Sequence, residues 1–213
     1  MPVYTTVAAG HDDELMQRPA RAFIFDLDGT LADTMPAHFV AWTKVVRRYG
    51  LLFPEVRFYS LGGVPTTKIA AMLIQEARVS LDPQVIALEK EQAYFDSLAP
   101  AGIQAIEPVL ELARRHRAEG PLAIASGGVR RVVMRSLEAL GIADWFGAIV
   151  AAEDTTRHKP DPDVFLEAAR RLEAEPATCT VYEDTDIGLE AARRAGMQAV
   201  DVRPLIAATK PAA

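Results

Sequence analysis

The feature that most restricts the fold is a short, largely apolar run, residues 21–25, that stops abruptly at Asp26-Leu27-Asp28-Gly29-Thr30. Its apolar residues are consecutive and do not alternate with polar ones, which is typical of a strand buried on both faces of a parallel sheet. The same pattern returns three times and a fifth strand follows, so that the further predicted strands lie at 121–125, 148–151, 179–182 and 198–202.

Helical periodicity fills the intervals between these strands, at 105–119, 129–140, 162–173 and 187–195. Gly120, Gly141 and Gly196 follow three of these stretches, at the position where glycine commonly ends a helix. Strands that alternate with helices predict an α/β fold, a Rossmann-like doubly wound parallel sheet.

Residues 34–100 break this alternation, because they show three helical stretches and no clear strand, at 36–49, 65–79 and 82–98. Pro36 and Pro65 favour helix starts, since proline is tolerated in the first turn. The block therefore predicts a small helical cap domain, 34–100, inserted into a core made of 20–33 and 101–213.

Composition excludes several classes of protein. Hydrophobic residues make up 50% and charged residues 24% of the chain, which excludes a disordered protein. The formal net charge of -6 argues against nucleic acid or an anionic membrane as a partner, and no apolar run approaches the roughly 18 residues that span a bilayer. The single cysteine, Cys179, excludes an intrachain disulfide. Residues 1–19 lack the pattern of a secretory signal, so we expect a flexible tail on a cytoplasmic monomer.

Reactive side chains follow the carboxyl ends of the predicted strands. They are Asp26, Asp28, Ser126, Lys159, Glu183 and Asp184. Because ligands bind beyond this edge of an open α/β sheet, we expect these side chains to converge there. Converging carboxylates repel one another unless a cation compensates them. Oxygen ligands in a chain with four histidines and one cysteine favour Mg²⁺ over zinc.

A site of carboxylates, Mg²⁺ and lysine suits a phosphate group. Asp26 could attack phosphorus as a nucleophile. Asp28 lies two residues further on the same side of an extended chain, and it could protonate the leaving oxygen and then activate water. Ser126 and the amide of Gly127 open a helix and form an anion site. Lys159 would neutralise the phosphoryl oxygens.

Four segments, in order, resemble the four motifs of the haloacid dehalogenase superfamily phosphotransferases. Residues 26–34 resemble the first motif, Ser126 the second, Lys159 in 158–162 the third, and 183–189 the fourth. The likeness covers about residues 20–205. It implies a Rossmann-like core, a helical cap of the β-phosphoglucomutase type, Mg²⁺ dependence and an aspartyl-phosphate intermediate.

The resemblance also implies roles for single residues. Asp26 would be the nucleophile and Asp28 the acid/base, while Asp26, the Asp28 carbonyl and Asp184 would bind Mg²⁺. Glu183 is a further candidate metal ligand, and the phosphate would contact Ser126 and Lys159. Asp186 resembles the Glu-Asp-x-Asp variant of bacterial fructose-1-phosphate and 6-phosphogluconate phosphatase-like members. It could contact the metal or cap a helix, and we favour the helix cap.

Candidate substrate contacts lie in the predicted cap. They are His38 and Trp42, one turn apart on the first cap helix, and Gly63, Thr66 and Lys68 in the turn at 61–68. In the mutases that this cap resembles, a histidine at the place of His38 aids proton transfer and an arginine grips a second phosphate. Thr66 stands at the place of that arginine, which weakens the case for a bisphosphate intermediate. Core packing for Trp42 and a solvated face for Lys68 remain alternatives.

We therefore predict a Mg²⁺-dependent phosphatase whose partner is a small phosphorylated metabolite, of the fructose 1-phosphate or 6-phosphogluconate type. The alternative is a β-phosphoglucomutase that interconverts β-glucose 1-phosphate and glucose 6-phosphate with the same core residues. A third hypothesis is a catalytically idle relative with a binding or regulatory role. The intact pair of Asp26 and Asp28 argues against it.

Overall fold

The computed structural model describes residues 21–98 and 102–208. Its five strands form one sheet, in the order β3-β2-β1-β4-β5, and every neighbouring pair is parallel. The strands are β1 (Ala22–Phe25), β2 (Leu122–Ala125), β3 (Ala148–Val150), β4 (Cys179–Glu183) and β5 (Gln198–Asp201). The predicted doubly wound parallel sheet is confirmed.

Helices occupy the intervals between the strands, and one further helix follows β5. In chain order they are α1 (Met35–Arg48), α2 (Glu55–Ser60), α3 (Thr66–Ala77), α4 (Pro83–Leu98), α5 (Glu107–His116), α6 (Arg130–Ala139), α7 (Asp163–Arg171), α8 (Asp186–Arg194) and α9 (Arg203–Ala207). Periodicity predicts all of them except α2 and α9. These two span fewer than two turns, which is too short for an apolar stripe to recur.

Successive side chains of the central strand enter two different apolar clusters. Phe23 and Phe25 pack on one face of the sheet with α5, α6 and α9, whereas Ala22 and Ile24 pack on the other face with α7 and α8. This alternation follows from the twofold periodicity of a strand, and burial on both faces explains its continuous hydrophobicity.

The register aligns the carboxyl ends of the inner strands. Phe25 lies opposite Ile124 of β2 and Tyr182 of β4. The residues that follow each strand therefore leave the sheet within one or two positions of one another, at the same edge.

Helices α1–α4, which we call the cap helices, share a third apolar cluster that also takes in Val132 of α6. Two backbone hydrogen bonds join the segments that connect these helices to the sheet, from Asp33 N–H to the Gln104 carbonyl and from Ile106 N–H to the Leu31 carbonyl, both 2.9 Å. This layout agrees with an inserted cap, and the division at 34–100 stays a prediction. The predicted tail, 1–19, and residues 99–101 lie outside the described residues.

No helix in the part of the chain that the structure describes combines the length and the hydropathy needed to cross a bilayer.

Candidate active site

Asp26 is the first residue after β1, and its N–H still pairs with the Tyr182 carbonyl at 3.0 Å. Its side chain is buried, and Oδ1 accepts a hydrogen bond from Nζ of Lys159 at 2.6 Å. Burial and the neighbouring charge of Glu183 raise the pKa of Asp26 well above its ordinary value, although Lys159 acts in the opposite direction. The carboxylate is thus held in place but is short of compensating positive charge.

Lys159 is only 2% exposed and bonds to two carboxylates. Besides Asp26, Nζ donates to Oε2 of Glu183 at 2.7 Å. Burial alone would lower the pKa of Lys159, but attraction to these two carboxylates outweighs it and raises the pKa above its ordinary value. Lys159 therefore supplies a permanent positive charge beside Asp26.

Glu183 is fully buried, and both of its oxygens are occupied. Oε2 takes the bond from Lys159, whereas Oε1 accepts the N–H groups of Asp184 and Thr185 and the Thr185 hydroxyl, at 2.7–3.1 Å. A Cβ at Gly188 would overlap this side chain, so α8 needs a glycine there. In this arrangement Glu183 holds Lys159 and its own loop, and the metal role predicted for it stays a prediction.

Asp28 directs Oδ1 toward the cap helices. This oxygen accepts hydrogen bonds from the Thr34 hydroxyl at 2.6 Å and from Nε2 of His38 at 3.3 Å. Burial raises the pKa of Asp28, but the hydrogen bonds from His38 and Thr34, together with the charge of Lys90, outweigh it and lower the pKa to about 2. Gly29 follows with a φ of 91°, and a Cβ there would overlap Asp184, so only glycine fits this turn.

Lys90 of α4 completes this arrangement, and sequence reasoning missed it. Its Nζ lies 2.8 Å from Nδ1 of His38, and the side chain is 5% exposed. Burial lowers the pKa of Lys90 to about 8, despite the attraction of Asp28. A signal was present in the sequence: Ile86, Lys90 and Tyr94 recur every four residues, which places a lysine within an apolar helical stripe.

Ser126 follows β2, and its hydroxyl accepts the N–H of Gly128 at 2.9 Å. Gly127 touches the turn between α2 and α3, because a Cβ at this position would overlap the backbone carbonyl of Gly63. The two glycines therefore allow backbone to approach backbone, and the cap turn closes over the loop that begins α6.

One cavity of about 60 Å³ brings most of the predicted residues together. It is lined by Asp26, Asp28, His38, Trp42, Gly63, Thr66, Ser126 and Gly127. Lys90 also lines it. The side chains of Lys159, Glu183 and Asp184 do not line the cavity themselves but lie next to Asp26, which does. Lys68 does not line this cavity but lies in a neighbouring open groove with His158.

Asp26, Glu183 and Asp184 each offer a carboxylate oxygen, and the three atoms lie within 4.8 Å of one another. Oδ1 of Asp184 accepts the Thr30 hydroxyl at 2.8 Å. Burial and the charge of Glu183 nevertheless raise the pKa of Asp184 to about 7. Buried, mutually repelling carboxylates are a donor set that a hard divalent cation fits, and Mg²⁺ prefers such oxygens.

Two charged residues near the predicted site, Asp186 and Arg130, have partners outside the cavity. Asp186 begins α8, but Thr185 caps this helix by accepting the N–H of Gly188, so the interpretation of Asp186 as the helix cap was wrong. The Asp186 side chain is 86% exposed and pairs with Arg203 at 2.9 Å. Arg130 bonds to the Asp154 carboxylate and the Ile149 carbonyl, away from the cavity.

The model of one protein family, described as haloacid dehalogenase-like hydrolase, matches residues 23–202. The chain belongs to this family. Fructose-1-phosphate phosphatase YqaB of Escherichia coli (strain K12) is 39% identical over 186 residues, which are 85% of this chain and 96% of that protein.

Two further similar proteins carry the name of a mutase. Beta-phosphoglucomutase of Bacillus subtilis (strain 168) is 31% identical over 191 residues, 85% of this chain and 83% of that protein. The crystal structure of β-phosphoglucomutase from Clostridium difficile superposes with a TM-score of 0.77 at 25% identity, over 85% of this chain and 84% of that one. The predicted superfamily is confirmed, and so is the class of enzyme, a phosphoric monoester hydrolase.

Proposed function

We propose that this hydrolase is a Mg²⁺-dependent phosphatase of small sugar phosphates that works through an aspartyl-phosphate intermediate. One observation carries the proposal: Asp26, Asp28 and Ser126, from two strand ends, line one cavity while buried Lys159 bonds to Asp26. The relative named as a fructose-1-phosphate phosphatase supports the substrate class.

In the first step an oxygen of Asp26 forms a bond to phosphorus, and the bond from phosphorus to the sugar oxygen breaks. Lys159 compensates the charge on Asp26 and on the phosphoryl oxygens. Ser126 and the amide of Gly127 hold the phosphoryl group at the start of α6. Asp28 gives a proton to the departing sugar oxygen.

Asp28 then removes a proton from the water that hydrolyses the aspartyl phosphate. Its lowered pKa suits this base role, because the carboxylate form is favoured without a substrate. A phosphoryl group beside Asp28 adds negative charge, which raises that pKa and favours the protonated form needed in the first step.

Asp26, Asp184 and the backbone carbonyl of Asp28 would hold the Mg²⁺ ion. When bound, Mg²⁺ would supply positive charge that stabilises the phosphoryl oxygens in the transition state. The raised pKa values of the two carboxylates support this assignment, since burial and the charge of Glu183 disfavour their charged forms and a bound cation would offset both effects.

The cavity lining favours a substrate whose remote end is uncharged. Among the described residues that line it, Lys90 is the one lysine or arginine, and its ammonium already bonds to His38. Thr66 and Val129 offer neutral side chains. A second phosphate or a remote carboxylate would therefore lack a free cationic partner among these lining residues, which favours fructose 1-phosphate over 6-phosphogluconate and weakens the mutase alternative.

A panel of sugar monophosphates and bisphosphates, incubated with the enzyme and Mg²⁺, tests this proposal. We expect release of inorganic phosphate from fructose 1-phosphate, with kcat/KM at least tenfold higher than for fructose 1,6-bisphosphate. Conversion of β-glucose 1-phosphate to glucose 6-phosphate without free phosphate would establish the mutase instead. Absence of turnover across the panel would favour the idle relative.

A further inference from the structure

Tyr94 lies on α4 one turn beyond Lys90 and is completely buried. Its ring stacks on the imidazole of His38, with centroids 3.9 Å apart and the ring planes 12° apart. A nearly parallel contact at this distance restricts rotation of the imidazole about the Cβ–Cγ bond of His38. Tyr94 therefore fixes the plane in which the nitrogens of His38 point.

Lys90 fixes the direction within that plane. Its Nζ is 5.6 Å from the centroid of Tyr94 and 5.8 Å from that of Trp42, so the ammonium lies near two aromatic faces. An ammonium group only donates hydrogen bonds, so Nδ1 of His38 must accept, and Nε2 carries the hydrogen directed at Asp28.

This hydrogen bond decides which oxygen of Asp28 is left for the substrate. Oδ1 accepts both Thr34 and His38. Oδ2 of Asp28 lies on the side of Gly128, which lines the cavity. A Cβ built at Gly128 would be 3.6 Å from this oxygen. Oδ2 is thus the oxygen that can pass a proton to the departing sugar.

The hydroxyl group of Tyr94 does not account for this arrangement. It lies near Ser136 but makes no hydrogen bond within the described residues, and the Ser136 hydroxyl donates to the Val132 carbonyl. A buried hydroxyl without a partner is unfavourable. What Tyr94 contributes to the site is therefore the face of its ring.

We propose that Tyr94 is a positioning residue for leaving-group protonation, because its ring holds His38 in the orientation that aims Oδ2 of Asp28 at the substrate. The proposal rests on the proposed phosphatase function. It predicts that loss of the ring harms substrates that depart as alkoxides and spares those that depart without a proton.

The test compares Tyr94→Leu with Tyr94→Phe in Mg²⁺-containing buffer, with Phe53→Leu as a matched control. Phe53 lies in the same apolar cluster, and among the described residues its ring contacts are with Trp42 and Phe58 and not with His38. The measured quantity is kcat/KM, which reports the steps up to release of the alcohol, for fructose 1-phosphate and for 4-nitrophenyl phosphate. 4-Nitrophenolate departs without protonation, whereas the sugar oxygen needs a proton in order to depart.

We expect Tyr94→Leu to lower kcat/KM for fructose 1-phosphate at least tenfold and for 4-nitrophenyl phosphate less than threefold. Tyr94→Phe should keep both values within twofold of the wild type, and Phe53→Leu should change both equally. If Tyr94→Leu does not fold, Tyr94→Met replaces it, because the flexible, unbranched methionine side chain adapts to irregular space in a core.

Equal losses on the two substrates, no loss in Tyr94→Leu, or the same loss in Tyr94→Phe would each overturn the positioning role while leaving the phosphatase intact. A wild-type enzyme that hydrolyses neither substrate would overturn the proposed function, and the positioning role with it.

Discussion

The ammonium group of Lys90 lies 2.8 Å from Nδ1 of His38, and 52 residues separate the two in the chain. Two cap helices, α1 and α4, supply the two groups. Through His38 this contact reaches Asp28, which follows β1. The cap helices thus contact Asp28, the proposed acid/base, and also form part of the wall of the cavity.

Replacement of Lys90 by methionine should stabilise the protein and impair turnover. The pKa of Lys90 falls from 10.5 to about 8 on folding, so at pH 7 the full cost of the buried charge is present. Between pH 8 and 10.5 the unfolded chain holds a proton that the folded protein has lost, so stability rises with pH there. We expect Lys90→Met to raise the free energy of unfolding at pH 7 by about 1–3 kcal/mol, with a smaller gain at pH 9.5.

Chemical denaturation at the two pH values measures this difference. Lys44→Met, at an exposed position on α1, is the control for loss of a lysine whose charge is not buried. Lys90→Met should also lower kcat at least tenfold, because Nδ1 of His38 loses its donor. A destabilised variant at pH 7 would contradict the assignment of Lys90 as a buried cation.

Asp184→Asn should stabilise the metal-free protein above neutral pH and remove its response to Mg²⁺. The pKa of Asp184 rises from 3.8 to about 7 on folding, so the folded protein holds a proton that the unfolded chain has lost. Wild-type stability therefore falls as the pH rises from about 4 to 7, and the variant lacks this fall. We expect a gain of about 1–3 kcal/mol at pH 8 and little at pH 4.

Thermal unfolding with and without Mg²⁺ is the measurement, and Asp186→Asn is the matched control. Asp186 is exposed and pairs with Arg203, so its variant should keep the Mg²⁺-induced rise in Tm. If Mg²⁺ raised the Tm of Asp184→Asn by the same amount, Asp184 would be excluded as a metal ligand.

Gly127→Ala should prevent the cap turn from closing. The added Cβ would overlap the Gly63 carbonyl, whereas the backbone N–H proposed to bind phosphate is retained. We expect kcat/KM for fructose 1-phosphate to fall at least tenfold, with amide hydrogen exchange faster at residues 61–64. Gly147→Ala is the control, since its Cβ would meet nothing closer than 3.5 Å. Activity within twofold of the wild type would show that this contact is not needed for turnover.

Asp26→Asn should abolish phosphate release, by at least 10³-fold, without unfolding the protein. Burial and the charge of Glu183 already disfavour the charged form of Asp26. Replacement of this carboxylate by a neutral amide should therefore leave Tm unchanged or higher. The measurements are phosphate release and thermal unfolding. The matched control is Asp33→Asn, which changes an exposed aspartate of the same motif. Retained turnover in Asp26→Asn would eliminate it as the nucleophile.

The sheet and most of the helices were predictable because their signals are local. Continuous apolar runs mark the buried strands, and periodic apolar residues mark α3 and α6 without reference to any distant residue. The convergence of Asp26 and Ser126 was also predictable, since the ends of parallel strands share one edge. Helices α2 and α9 are too short to carry such a pattern.

The sequence by itself determined the order of the strands and of the longer helices along the chain, and the identity of the reactive side chains that follow the strands. Only the tertiary structure decided the partners: that Lys90 bonds to His38, that Arg203 holds Asp186, and that Lys68 lies outside the cavity. The physical reason is that hydrophobic periodicity and turn chemistry act within a few residues. The partner of a charged side chain depends on which distant helices and loops pack together, and on how much water they exclude.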